Sequence, residues 1–256
     1  MNTTSNATQQ MVDAFTRDGY VALPGFMSKG ELDEVEDALA RLTPQRLAEM
    51  PEEHVFYEDK RDLSSLKQIQ RLFDYDPVFD RMMFDSRFEE VAATLLGDGV
   101  VGKNMQYFNK PPRIGKATPP HQDGYYFMLD PPLAVTMWLA LDEVDVSNGC
   151  VRYVPGSHKK PVREHAKTET LGFSQGIIDY PTEVDEKLET PIAAHPGDLL
   201  VHHAMTIHRA DPNTHPTRSR RALGFIYYRR DAREDREAHE AYQKKLKQEM
   251  KDKGAI

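Results

Sequence analysis

Cysteine is almost absent from this chain of 256 residues: Cys150 stands alone, which excludes an intramolecular disulfide, a cysteine-based zinc finger and a four-thiolate iron–sulfur cluster. No run of about 18 apolar residues occurs, and the opening Met1-Asn-Thr-Thr-Ser-Asn-Ala-Thr has neither a basic nor an apolar leader segment. The expectation is a cytoplasmic protein with no membrane partner. Basic residues are in deficit, 33 Lys+Arg against 41 Asp+Glu for a net charge of −8, so a nucleic-acid partner is not expected. There is no glycine-rich phosphate signature and no repeat period. The chemistry left open is that of oxygen, nitrogen and carboxylate groups.

Apolar residues make up 39% of the chain, enough with glycine for a sizeable core. A single domain over 1–256 is expected, acting on a small molecule as a monomer or weak homo-oligomer. A short helix around Gln9–Arg17 leads into a strand at Tyr20-Val-Ala-Leu, ended by Pro24-Gly25. Ser28, with Glu31 three residues on, caps a helix carrying Leu32, Val35, Leu39 and Leu42 on one face. Pro77–Phe84 and Ser86–Leu96 read as further helices, the second stopped by Gly97, making 9–97 a mainly helical part. From 99 to 229 the texture changes to short segments between turn residues: 100–109, 121–127, 134–142, 150–154, 199–203, 206–209 and 220–228. Such spacing predicts an all-β sandwich or barrel. A long loop falls within 156–195, and 231–253 reads as a solvated helix with Ala238, Tyr242, Leu246 and Met250 in a narrow stripe.

His121-Gln-Asp123 puts an imidazole and a carboxylate two residues apart, on one face if the segment is a strand, where one metal could take both. The pair alone is weak, because 10 histidines make roughly one such pair expected by chance. Its context is more specific: Asn109-Lys-Pro-Pro-Arg before it, then Tyr125-Tyr-Phe127, Trp138-Leu-Ala-Leu-Asp142, Asn148-Gly-Cys-Val-Arg-Tyr-Val-Pro-Gly-Ser-His158, Pro196-Gly-Asp, His208-Arg-Ala-Asp-Pro-Asn213 and Arg220-Arg-Ala222.

In that order, from about Asp18-Gly-Tyr to Tyr228, these segments closely resemble the phytanoyl-CoA dioxygenase family of Fe(II) and 2-oxoglutarate-dependent oxygenases. The resemblance implies a mainly β fold with flanking helices, a double-stranded β-helix, whose ferrous ion is held by His121, Asp123 and His208. Two imidazoles and one carboxylate leave three positions for co-substrate and O2. The far carboxylate of 2-oxoglutarate needs a planar, permanent cation, and the resemblance places an arginine shortly after the distal histidine. Arg220 is the choice, because its neighbours two apart, Ala222 and Gly224, are small, whereas Arg221 points to the opposite face and Arg218 is a weaker rival. Gln106 and Trp138 are expected at the co-substrate by the same resemblance. Ala210 departs from it, since many relatives carry a serine there.

Family register favours His208 over His202 and His203 as the third ligand. His158 is assigned to a turn and His215 to an exposed loop, with His54, His165, His195 and His239 on the surface. A carboxylate at 123 favours hydroxylation over halogenation, because halogenating relatives leave that site to chloride. If Gln68 and Gln70, in the polar segment 54–71 with Lys67 and Arg71, face the barrel mouth, a polar substrate fits best. The competing classes are a non-catalytic metal- or ligand-binding β-helix and a metal-dependent hydrolase. Retention of all four of His121, Asp123, His208 and Arg220 counts against the first, and the arginine with the lack of an evident extra general base counts against the second.

Overall fold

The computed structural model describes residues 2–168 and 175–252, without the side chains of 2–5, 243, 245–247 and 249–252. Leu246 and Met250 of the expected C-terminal stripe therefore lie outside the described residues. The strands are β1 (Tyr20–Leu23), β2 (Val55–Tyr57), β3 (Leu66–Ile69), β4 (Val100–Lys110), β5 (Thr118–His121), β6 (Leu129–Asp130), β7 (Ala134–Ala140), β8 (Val151–Tyr153), β9 (His165–Lys167), β10 (Gln175–Ile177), β11 (Thr190–Ile192), β12 (Leu199–His203), β13 (His208–Ala210), β14 (Arg220–Arg229) and β15 (Arg233–Glu234). The helices are α1 (Asn2–Asp18), α2 (Lys29–Ala40), α3 (Pro44–Ala48), α4 (Pro77–Met83), α5 (Arg87–Leu96), α6 (Asp123–Phe127), α7 (Glu183–Leu188) and α8 (Arg236–Asp252).

A seven-stranded sheet in the order β1-β12-β7-β14-β4-β3-β2 and a four-stranded sheet in the order β11-β8-β13-β5 form the double-stranded β-helix. Every pairing is antiparallel. Strand alternation decides which way each side chain goes. On β14, Leu223, Phe225 and Tyr227 join Met105 and Tyr107 of β4 and Val135, Met137 and Leu139 of β7 in one core. That core is closed by Val35 and Ala38 of α2, Phe79 and Met83 of α4, and Phe88 and Ala92 of α5, with Phe88 stacked on Phe225 at 4.3 Å. Burying each of the larger side chains contributes roughly 1.5–3 kcal/mol, so this layer fixes the sheet against the helices. The alternate residues of the same strands face the other sheet, and Gly224 shows how little room they leave. A Cβ there would meet the Phe108 ring at 2.6 Å.

Local signals explain the helix ends. Ser28 caps α2 in a reciprocal capping box with Glu31, Ser86 caps α5, and Gly97 ends α5 in the left-handed region at φ 75. Five expectations need correction. α1 starts at Asn2 rather than near Gln9. Besides the expected strand at Tyr20–Leu23, the first hundred residues supply β2 and β3 to the large sheet, because β4 gives β3, and β3 gives β2, a ladder partner that no local pattern announces. Segment 121–127 is not a strand: β5 ends at His121 and α6 begins at Asp123. The expected loop 156–195 holds the β9–β10 pair, α7 and β11, and the C-terminal helix starts at Arg236, after the short β15.

Candidate active site

Antiparallel pairing of β13 with β5 sets His208 directly across from His121. Asp123 reaches the same point from the first turn of α6, and the metal-ligating atoms of the three lie within 4.8 Å of one another. The imidazole Nε2 atoms of His121 and His208 stand 3.5 and 3.9 Å from Asp123 Oδ1. Each ring is turned by its other nitrogen, as His121 Nδ1 donates to the Pro119 carbonyl at 2.8 Å and His208 Nδ1 to that of Thr206 at 3.0 Å. A carbonyl can only accept, so both Nδ1 atoms carry the hydrogen and both Nε2 lone pairs face the common centre. Burial, reinforced by His121 and His202, holds the His208 imidazole well below its ordinary range, in the neutral form a metal takes. Burial opposes the charge on Asp123, but contacts that include the one with His202 Nε2 outweigh it and hold the carboxyl well below its usual range.

The second oxygen of Asp123 is occupied by protein. Thr136 Oγ1 donates to Oδ2 at 2.5 Å, and His202 Nε2 lies 3.2 Å from it. Tyr153 Oη, 3.0 Å from His202 Nδ1, completes this chain. His202 therefore lies in the site yet outside the converging triad, where it orients the carboxylate. Sequence reasoning gives it no such part, although the parity of β12 carries the signal. Leu200 and His202 share the inner face, and His203 the outer one.

His203 packs instead near Phe15 and His158 and accepts from the Met205 amide through Nδ1 at 3.0 Å. Burial, with His158 and His202 nearby, pushes its imidazole down to about 4. The unfolded chain takes the proton near 6.5, so stability present at neutral pH is lost as the pH falls from about 6.5 toward about 4. Between pH 7.5 and 5.0 this residue is expected to cost about 2 kcal/mol of unfolding free energy. His203→Asn, which keeps an acceptor for Met205, should lose that part of the pH dependence in urea unfolding at the two pH values. An unchanged pH dependence in the variant would refute it.

Triad and cation share a cavity of ≈ 390 Å³ between the sheets, lined among others by Gln68, Gln106, Trp138, Ala210 and Arg220. Arg220 is 5% exposed, with its guanidinium 5.3 Å from the centroid of Trp138. Among the described residues it has no ion-pair partner, and its buried Nε has no hydrogen-bond acceptor. Burial pulls its pKa down to about 10, which leaves it charged at neutral pH. A buried fork-shaped cation without an anion is what a dicarboxylic co-substrate fits. Arg221 points outward to Asp142 and Glu36, as parity requires, while Arg218, in the loop before β14, pairs with Asp145. Gln106 and Trp138 both stand opposite Gly224, on β4 and β7, and Gln68 donates its amide to Gln106.

Lys67, Gln68 and Gln70 line the cavity, whereas Arg71 turns away to Asp74. Two histidines expected on the surface are not there. His165 is buried and stacked on Tyr125 at 4.3 Å, and His239 lines the cavity beside Glu234. Both arrive through long-range returns of the chain that nothing in their local sequence marks. His158 sits in a turn, His215 in a loop where it is half-buried rather than exposed, His54 is part-buried against Tyr75, and His195 is exposed beside Glu143.

A double-stranded β-helix with two histidines and one carboxylate converging beside a buried arginine defines the Fe(II) and 2-oxoglutarate-dependent oxygenases. The chain belongs to one family of that class: the model of the phytanoyl-CoA dioxygenase (PhyH) family matches residues 15–222. It is 27% identical to phytanoyl-CoA dioxygenase 1 of Oryza sativa subsp. japonica over 250 residues, covering 85% of this chain and 88% of the relative. It is 26% identical to a probable alpha-ketoglutarate-dependent hypophosphite dioxygenase of Stutzerimonas stutzeri, over 84% of this chain and 76% of that one. In fold it is similar to the epimerase SnoN, solved with Fe3+, alpha ketoglutarate and nogalamycin RO, with TM-score 0.71 and 23% identity over 90% of this chain and 86% of that one. The protein is thus an iron- and 2-oxoglutarate-dependent dioxygenase that uses O2. No helix among the described residues is long and apolar enough to cross a membrane.

Proposed function

We propose that this enzyme, acting as one domain over 1–256, hydroxylates a C–H bond of a small, polar organic molecule and releases succinate and CO2. The observation that carries the reading is one cavity with the His121, Asp123 and His208 ligand atoms on its wall and, in its lining, Arg220, which has no ion-pair partner among the described residues. His121 Nε2, Asp123 Oδ1 and His208 Nε2 would hold the iron, and a three-donor protein set would leave room for co-substrate and oxygen. Arg220 takes the C5 carboxylate of 2-oxoglutarate through its fork, and Gln106 and Trp138 orient the co-acid between β4 and β7. Iron and co-acid together would supply the oxidising chemistry: O2 is consumed, C1 of the co-acid leaves as CO2, one oxygen atom enters the new carboxylate of succinate and the other reaches the substrate carbon.

The protein supplies orientation and a dry site. Thr136 and His202 fix the Asp123 carboxylate in its ligating pose. Tyr126, Phe127 and Tyr228 wall the cavity on the α6 side and limit water there. A carboxylate at 123 fills the site that a halide would need, which favours hydroxylation. Gln68 and Gln70 in the lining favour a polar substrate over a long alkyl chain. The test is oxygen uptake with a panel of small polar compounds, using Fe(II) protein and 2-oxoglutarate under ¹⁸O2. Substrate-dependent succinate with one ¹⁸O in the product is expected. Turnover giving an epimer or alkene without ¹⁸O would overturn hydroxylation while leaving the oxygenase class intact.

A further inference from the structure

Gln122 sits between two of the converging residues yet faces away from the cavity, with 0% exposure. A primary amide buried that deeply must have all its strong groups satisfied, and its partners come from two distant segments. Gln122 Nε2 donates to the Met205 carbonyl at 2.8 Å, in the turn that leads to His208. Its Oε1 accepts from the Arg163 amide at 2.8 Å. Its own backbone N–H donates to His165 Nε2 at 3.2 Å. His165 can accept there because its Nδ1 donates to the Arg163 carbonyl at 2.8 Å, which fixes the tautomer. Arg163 is in turn tethered to Asp179 and Asp185, and the His165 ring lies on Tyr125, two residues after Asp123. The Gly124 amide also bonds the Ala204 carbonyl at 2.8 Å, so the turn before β13 and the start of α6 are laced together on both sides of Gln122.

We infer that Gln122 and His165 are positioning residues for the iron site, clamping the His121–Asp123 junction to the turn before His208 and to the 163–165 segment. Neither touches the centre. Gln122 acts through its two neighbours, because rotating the backbone at 122 moves an imidazole and a carboxylate together. The clamp also explains how Asp123 keeps its aim although β5 has ended: the backbone at the break is held by the Gln122 and His165 side chains together with the Gly124–Ala204 bond. The inference rests on the proposed ligand set.

The experiment measures anaerobic Fe(II) affinity, and the visible absorption that 2-oxoglutarate induces on the Fe(II) protein, in Gln122→Leu, His165→Leu, His165→Gln and Asp123→Ala. Thermal midpoints are recorded for each. The two leucine variants are expected to weaken iron binding about 10–100-fold and to shift the absorption band, as loss of outer-shell partners does elsewhere. His165→Gln, which puts an amide acceptor near the position of Nε2, should recover most of the affinity. Should Gln122→Leu fail to fold, the His165 pair decides alone. If His165→Leu lowers the thermal midpoint but leaves affinity and absorption as in the wild type, the clamp is merely structural and the inference falls. If Asp123→Ala itself binds iron like the wild type, the ligand set is wrong and the inference falls with it.

Discussion

Arg220→Ala is expected to weaken 2-oxoglutarate binding roughly 30-fold to several-thousand-fold, with the fold intact. Removing one side of a buried, charge-assisted bidentate pair costs about 2–5 kcal/mol, because the remaining charge stays buried and unpaired. At about 1.4 kcal/mol per factor of ten, that sets the range. Folding should not suffer, since Arg220 is itself a buried cation without a counter-ion among the described residues, and its removal relieves a desolvation cost. Arg220→Lys should recover only part of the affinity, because a point ammonium cannot reproduce the fork. Arg221→Ala should leave affinity within about threefold, as its guanidinium is spent outside the cavity on Asp142 and Glu36. Anaerobic titration of 2-oxoglutarate into the three Fe(II) variants at one ionic strength reads all of this. A loss confined to Arg221→Ala would reverse the assignment, and wild-type affinity in both alanine variants would remove the arginine from co-substrate binding.

Parity along a strand is why this much of the site is legible in the amino-acid sequence. β14 alternates strictly, so placing Arg220 inside places Arg221 outside and Ala222 and Gly224 where bulk is forbidden. The same parity on β12 separates His202 from His203. Asp123 joins the site for a different reason from the one its spacing suggests. It stands at a strand-to-helix junction rather than two places along a strand, and the clamp at Gln122 aims it. His165 and His239 are illegible because their burial depends on where residues far along the chain return. The β3 strand is illegible because its two central residues, Lys67 and Gln68, are polar, and the partners they are buried against, Glu58 and Gln106, come from elsewhere in the fold.

His208→Ala is expected to bind Fe(II) more than 100-fold more weakly than the wild type, and a graded series around it tests the whole arrangement. Loss of an outer-shell partner typically costs 10–100-fold in metal affinity, so loss of one of only three protein donors must exceed that. His202→Phe removes the contact to Asp123 Oδ2 but leaves Thr136 in place and should fall within the 10–100-fold band. His203→Asn, on the outer face of β12, should stay within about threefold. Asp123→Gly should lose hydroxylation but keep measurable iron and 2-oxoglutarate binding, because two imidazoles and the chelating co-acid still offer four donors. Anaerobic Fe(II) titration orders the first three, and the absorption induced by 2-oxoglutarate follows the fourth. The order is the informative part. If His202→Phe proves more damaging than His208→Ala, the histidine hydrogen-bonded to Asp123 is itself the ligand. His208, 3.9 Å from Asp123 Oδ1, would then be the residue that merely packs beside it.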